Sequence, residues 1–297
     1  VKRRAQRWRQ LVWQTIAATL LASAMLVALA GFLLWRNGWY NIGAIDQHWQ
    51  ITYKVLEYGL RYSVRHHARE VVTPKFTDAM ANRGAQVYAR HCVQCHGAPG
   101  VAPKMAMLAL QPSPGPLVHM ARRWQPNELY WLVANGVKMT AMPAWRFRLN
   151  DEDLWSVVAF IGELPKLSSA DGVALLDQAG RAPDAVEFTQ DPLPGPPPGP
   201  PQPHADLERG RIAVTQYACQ SCHVIPGVPG STVDVGPSLK HLSRQRYIAG
   251  YLPNTEDNMA RWLREPDKVK PGTAMPNLQV SKRDARDMAR WLLSPHP

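Results

Sequence analysis

Cysteine is nearly absent from this sequence: 297 residues hold four, at positions 92, 95, 219 and 222. Any thiol chemistry therefore falls on two short stretches, "RHCVQCHGAPG" at 90–100 and "YACQSCHVIPG" at 217–227. Charge is missing from residues 11–35, "LVWQTIAATLLASAMLVALAGFLLW". At 1.5 Å per helical residue that run exceeds the ~30 Å hydrocarbon core of a bilayer and can span it. Neither motif-bearing region alternates apolar and polar residues as a half-buried strand would, which argues against a sheet-built fold. No basic run is interleaved with stacking aromatics, which excludes a nucleic-acid-binding role.

Proline, in contrast, is abundant. It fills 27 positions, nearly twice the usual ~5%, and is concentrated in "DPLPGPPPGPPQP" at 191–203, a stiff polyproline-like spacer. The net charge is +11, of which Lys2, Arg3, Arg4, Arg7 and Arg9 supply five. Residues 204–297 carry 13 basic against 9 acidic side chains and residues 36–203 carry 16 against 14, so the remaining excess leans to the C-terminal region. The basic run ahead of the apolar stretch predicts a cytoplasmic N-terminus, with Trp8 and Trp13 at one interface and Trp35, Trp39 and Tyr40 at the other. "ALAG" at 28–31 offers a rival reading as a signal-peptide cleavage site. The apolar stretch is longer than a signal peptide's, which favours a retained anchor.

These features divide the chain into a cytoplasmic basic segment (1–10), a transmembrane helix (11–35), a membrane-proximal segment (36–74), a first domain (75–170), a connecting segment with the proline spacer (171–203) and a second domain (204–297). In the membrane-proximal segment, Val55, Leu56, Leu60 and Val64 have helical spacing and predict a docking helix. His66 and His67 are adjacent on that helix and diverge by about 100°, which argues against a metal pair. The two domains repeat one another in order. "RGAQVYARHC" and "RGRIAVTQYAC" each predict a short helix, with Gly84 or Gly210 early and Tyr88 or Tyr217 late. A loop-rich middle, a Met-Pro and a terminal helix follow in each. Asn150 is the expected N-cap of the first terminal helix, with Leu154, Trp155, Val158 and Ile161 buried. Ser281 is expected to cap the second, with Ala285, Met288, Ala289 and Leu292 buried.

Cys-x-x-Cys alone is ambiguous among zinc ligation, a redox dithiol and a disulfide. A histidine directly after the second cysteine selects covalent c-type haem attachment. On one helical turn the two sulfurs reach the two vinyl groups of a porphyrin and the imidazole points at the iron. Zinc would need four ligands together, whereas Cys92/Cys95 and Cys219/Cys222 lie in separate regions. A thioredoxin-like dithiol lacks its strand-helix context. The expectation is two covalently bound haems c, with His96 and His223 as axial ligands. An apolar porphyrin also fills domains whose own cores would be thin. A thioether sixth ligand raises the potential and closes the iron to substrate. Met142 is the candidate in "GVKMTAMPAW", with Met139 as its rival. Met275 is the candidate in "KPGTAMPNL", over Met259 or Met288. Both candidates immediately precede proline, which holds the loop out of helix. Met25, Met80, Met105, Met107 and Met120 read as adaptable filler.

With these motifs the chain resembles the class I cytochromes c, and the resemblance implies an all-α fold for both domains. The second domain, through "CQSCH", "GPSLKHLSRQRYIAGYLPNT" and "NMARWLREPDKVKPGTAMPNL", resembles the cytochrome c domain of caa3-type oxidase subunit II. That resemblance implies that Gly236 and Pro237 form the loop whose carbonyl orients His223, and that Arg246 neutralises a haem propionate. One anchor followed by two haem domains is similar to the dihaem subunit of cbb3-type oxidases. A subunit II would also need a binuclear copper site, and no cysteines remain to build it.

The function implied is a membrane-anchored dihaem electron carrier, not an enzyme. It takes electrons from a quinol-oxidising complex or a soluble cytochrome and passes them to the subunits of a haem-copper terminal oxidase. Its haem domains would lie on the periplasmic side of a bacterial inner membrane. The alternatives are a cytochrome subunit accepting electrons from a periplasmic alcohol or aldehyde dehydrogenase, and a dihaem peroxidase. The peroxidase needs a labile sixth ligand, against which two Met-Pro candidates argue.

Overall fold

The computed structural model describes residues 2–180, 203–230, 233 and 235–294. The predicted proline spacer lies outside the described residues, except for Pro203, where a helix begins. The chain divides into two compact units, residues 1–46 and 47–297.

The first unit is dominated by helix α1 (Lys2–Arg36). It is long and apolar enough to cross a membrane, and its most apolar stretch is wholly exposed. Leu20, Leu26, Val27 and Phe32 project from it uncovered, the condition of a helix whose solvent is lipid. Its C-terminus is tied off by Asn37, whose Nδ2 donates to Leu33 O at 2.8 Å.

Among its described residues the second unit is helical, apart from an antiparallel pairing of Tyr247–Ile248 with Leu252–Pro253 and a lone antiparallel bridge between Ala98 and Val101. It runs α2 (Gln50–Ala68), α3 (Asp78–His91), α4 (Val93–His96), α5 (Met105–Leu108), α6 (Leu117–Arg123), α7 (Pro126–Asn135), α8 (Asp151–Glu163), α9 (Ser169–Gln178), α10 (Pro203–Gln216), α11 (Glu256–Arg264), α12 (Pro266–Val269) and α13 (Lys282–Leu293). Two separate hydrophobic cores form, one on α3 and α8, the other on α10 and α13.

The same device builds both crossings. A Cβ on Gly84 would stand 1.9 Å from Ser156 O, and one on Gly210 would stand 2.2 Å from Asp287 O. Only glycine lets the two helix backbones approach so closely. The arginine before each glycine reaches the terminal helix: Arg83 Nε lies 2.7 Å from Asp153 and Arg209 Nε lies 2.5 Å from Asp287. The tyrosines are not equivalent. Buried Tyr88 donates to Gly97 O at 2.6 Å, whereas Tyr217 donates to Asp284 at 3.1 Å. Asn150 accepts from Asp153 N and Ser281 accepts from Asp284 N, so both terminal helices carry the expected caps. The residues expected to face inward on α8 and α13 are buried. On α8, Val157 and Phe160 are buried as well, because α6 and α7 cover its second side.

Two segments depart from the sequence reading. Residues 171–178, assigned to the connecting segment, belong to α9, which Ser168 caps at Asp171 N and whose Leu176 is fully buried in the first core. In α2, Leu60 and Val64 pack on the first core, whereas Val55 and Leu56 are exposed. The helix meets the domain along its C-terminal half, through α7.

Candidate haem sites

The first site is built on the end of α3. Cys92 caps that helix by donating its N–H to Tyr88 O at 2.9 Å, and a single turn follows in which His96 N donates to Cys92 O at 3.0 Å. Positions i, i+3 and i+4 share one helical face, so Cys92, Cys95 and His96 are presented together. His96 Nδ1 lies 2.8 Å from Gly115 O. A carbonyl can only accept, so Nδ1 carries the proton and the Nε2 lone pair is left for a metal. Burial pushes the His96 pKa down, against the opposing pull of the Gly115 bond, and keeps the ring neutral, as ligation requires.

The second site repeats the arrangement with different backbone. Left-handed Ala218 breaks the chain away from α10, and Cys219–Ser221 form a 3-10 turn from which His223 N donates to Cys219 O at 2.9 Å. His223 Nδ1 lies 2.7 Å from Pro237 O. Gly236 N donates to Cys222 O and Leu239 N to Val224 O, both at 2.9 Å, lacing the loop to the motif. A Cβ on Gly236 would stand 2.4 Å from His223 Cε1 and 2.7 Å from Nδ1. The ring is therefore seated against the backbone itself. Burial lowers the His223 pKa as well.

The thiols are unlike those of a redox dithiol, whose nucleophile is held at low pKa. Burial raises Cys92 to about 12, with neighbouring Cys95 adding to it; burial also raises Cys219 to about 12 and Cys222 to about 11. None of the four forms a disulfide. Among the described residues no group of three or more His, Cys, Asp or Glu is gathered as a metal-ligand set. Two neutral thiols and a neutral imidazole with Nε2 free, set on one turn, fit a covalently attached haem.

The methionine candidates separate by burial. Met142 is half-buried and packs on the first core, on which Cys92 also packs, whereas Met139 adopts a left-handed conformation and is 97% exposed. Met275 is half-buried and packs on the second core, on which Cys219 also packs, whereas Met259 and Met288 are buried within α11 and α13. Both loops read Thr-Ala-Met-Pro, at 140–143 and 273–276. In each, the threonine Oγ1 accepts from the methionine N–H, at 3.1 Å for Met142 and 3.3 Å for Met275. The Arg246 side chain is exposed and makes no ion pair among the described residues. Gly115 and the paired threonines escape the sequence reading. The signals that mark them are the shared Gly-Pro, at 115–116 and 236–237, and the shared Thr-Ala-Met-Pro.

Residues 79–161, from α3 through α8, match the family described as cytochrome c oxidase, cbb3-type, subunit III. The chain is 31% identical over 87 residues to the cytochrome c oxidase subunit 2 of Alkalihalophilus pseudofirmus, covering 29% of this chain and 25% of that protein. It is 32% identical over 65 residues to that of Bacillus sp. strain PS3, covering 21% and 18%. The chain thus spans a quarter or less of the length of these curated relatives. Comparison with solved structures finds no match. The chain carries a cytochrome c domain resembling those of cytochrome oxidase subunits, a resemblance that implies a covalently bound haem c.

Proposed function

We propose that this protein is a membrane-anchored dihaem c-type cytochrome that takes electrons from a quinol-oxidising complex and delivers them to a haem-copper terminal oxidase. The observation that carries the reading is the repeated pairing of a Cys-x-x-Cys-His turn with a carbonyl on histidine Nδ1, at Gly115 and at Pro237. When bound, each haem supplies a one-electron couple at its iron. This chain's residues hold and tune it. Cys92, Cys95, Cys219 and Cys222 would hold the haems through thioether bonds, and His96 and His223 would bind the irons through Nε2. Met142 and Met275 would supply thioether sulfurs, whose softness would favour the reduced metal. With a histidine and a methionine both holding it, the iron would admit no substrate, and the protein would act as a carrier. α1 anchors it, with both domains on the periplasmic face.

The oxidase subunits that the chain matches support a terminal oxidase as the acceptor. The test is the purified full chain: a pyridine haemochrome assay should give two haems per polypeptide, and spectra of both redox states should be low spin. Copurification from native membranes should bring terminal oxidase subunits. One haem per chain, a five-coordinate iron, or copurification with a periplasmic dehydrogenase in place of an oxidase would each overturn the corresponding part.

A further inference from the structure

Helix α2 carries an apolar face that its own domain leaves uncovered. At 100° per residue, Ile51, Val55, Tyr58 and Tyr62 fall within a ~60° arc. They are 66%, 62%, 61% and 70% exposed. That arc lies roughly opposite Leu60, Val64 and Ala68, through which the helix joins the first domain. A helix on a water-soluble domain ordinarily turns its charged residues outward; here the outward stripe is aliphatic and phenolic.

The charges sit beside the stripe. Lys54, Arg61 and Arg65 lie on its flank, and the helix holds three basic side chains against one acidic, Glu57. Next to them a cavity of ≈ 450 Å³ is lined by Lys54, Arg61 and Arg123 together with Gln50, Glu57, Tyr58 and, from the second domain, Gly230. Arg61 is paired with Glu57 at 2.9 Å, while Lys54 and Arg123 make no ion pair among the described residues. The helix begins at Gln50, only 13 residues after α1 ends at Arg36. That segment reaches at most about 45 Å fully extended, so α2 is held within reach of the bilayer surface.

We propose that α2 is an interfacial helix that lies on an anionic phospholipid surface. Ile51 and Val55 enter the acyl boundary, Tyr58 and Tyr62 take the headgroup level, and Lys54 and Arg123 meet lipid phosphates. This combination of an apolar stripe, aromatic rings with polar tips and flanking cations is what an in-plane membrane helix requires. The domain it carries is then fixed to the membrane at a second point beyond the anchor. The inference is independent of the haem reading.

The test uses the full haem-loaded chain in nanodiscs, one chain per disc, of phosphatidylcholine alone or with one quarter phosphatidylglycerol. A nitroxide is placed by Val55→Cys, with Tyr251→Cys on the second domain as the water-facing reference and unsubstituted protein as the blank for native thiols. In the anionic discs the label at 55 should be severalfold more accessible to oxygen, relative to a water-soluble nickel chelate, than the label at 251. The difference should shrink in neutral discs and after Lys54→Glu with Arg123→Glu. Equal water accessibility at 55 and 251 would overturn the proposal and leave the stripe to a protein partner. Spin-spin broadening at 55 that appears only with two chains per disc, together with water accessibility in the single-chain discs, would overturn it in favour of a second copy of this chain. Labelling of the unsubstituted protein would report free native cysteines, a failure of the haem reading alone.

Discussion

Ser113 Oγ lies 3.1 Å from Ser221 Oγ. Ser113 stands two residues before Gly115, whose carbonyl holds His96, and Ser221 stands between the two cysteines of the second motif. The loop that seats one histidine thus touches the turn that seats the other. A second bond joins Ser169 Oγ to Thr273 O at 2.9 Å, two residues before Met275. Each of these contacts involves a loop that holds a ligand candidate, and the Gln50 side chain makes a further contact between the domains at the Gly230 backbone.

This contact should matter for exchange between the sites and not for either site alone. Ser113→Ala with Ser221→Ala removes one hydrogen bond, worth about 1 kcal/mol, or roughly fivefold in the balance between docked and separated domains. Electron equilibration between the sites after pulse reduction should slow by up to about that factor, and amide exchange around 219–223 should rise. The low-spin spectra should not change. An unchanged equilibration rate would show that the sites do not communicate through this interface.

The glycines beside the two histidines should behave oppositely. Gly236→Ala places a methyl group 2.4 Å from His223 Cε1, which forces the ring or loop to move at a cost of about 1–3 kcal/mol. Gly115→Ala meets nothing within 4 Å. The first variant should lose low-spin character at one site, and the second should resemble the parent by spectrum and by melting. Equal behaviour of the two would contradict the seating of His223 on Gly236.

Met275→Ala and Met142→Ala should each abolish one thioether-to-iron charge-transfer band. Each should lower that site's potential by an amount on the order of 0.1 V, within the ~0.8 V that axial ligands span. Covalent attachment should survive, because it depends on the cysteines. Met139→Ala should be silent, since that side chain is almost fully in solvent. Redox titration with optical detection separates these outcomes.

Much of this arrangement is legible in the sequence, for identifiable reasons. The Cys-x-x-Cys-His spacing, the Met-Pro loops and the 3.6-residue period of α8 and α13 are local patterns, and local chemistry dictates them. The features that the sequence hides depend on distant backbone. Gly115 contributes only a carbonyl, which no side chain advertises, and its register differs by one from the second site: the glycine of Gly-Pro accepts in the first and the proline in the second. α9 reads as a connector in sequence because it runs directly towards the proline-rich spacer, although five of its ten residues are apolar. Its place is secured by Leu176 and by Gly172 lying against Pro99 O, neither of which a periodicity reveals.

The last expectation concerns the direction of flow. The second domain carries 13 basic against 9 acidic residues, and Lys240, Arg244 and Arg246 are exposed along the segment that follows the His223 loop. None of the three makes an ion pair among the described residues. Haem propionates will offset part of this charge, and the rest is placed to steer the domain onto an acidic acceptor. Such steering acts on the association rate and fades with salt. We expect the first domain to receive electrons and the second to deliver them. Lys240→Glu with Arg244→Glu should slow delivery to the oxidase about tenfold at low ionic strength, with little effect at high salt and none on reduction by the donor. Stopped-flow reduction, with the sites resolved by His96 or His223 ligand variants, should show the first site filling before the second. If the second fills first while the first empties into the oxidase, the order runs the other way, and the cations of the second domain serve the donor.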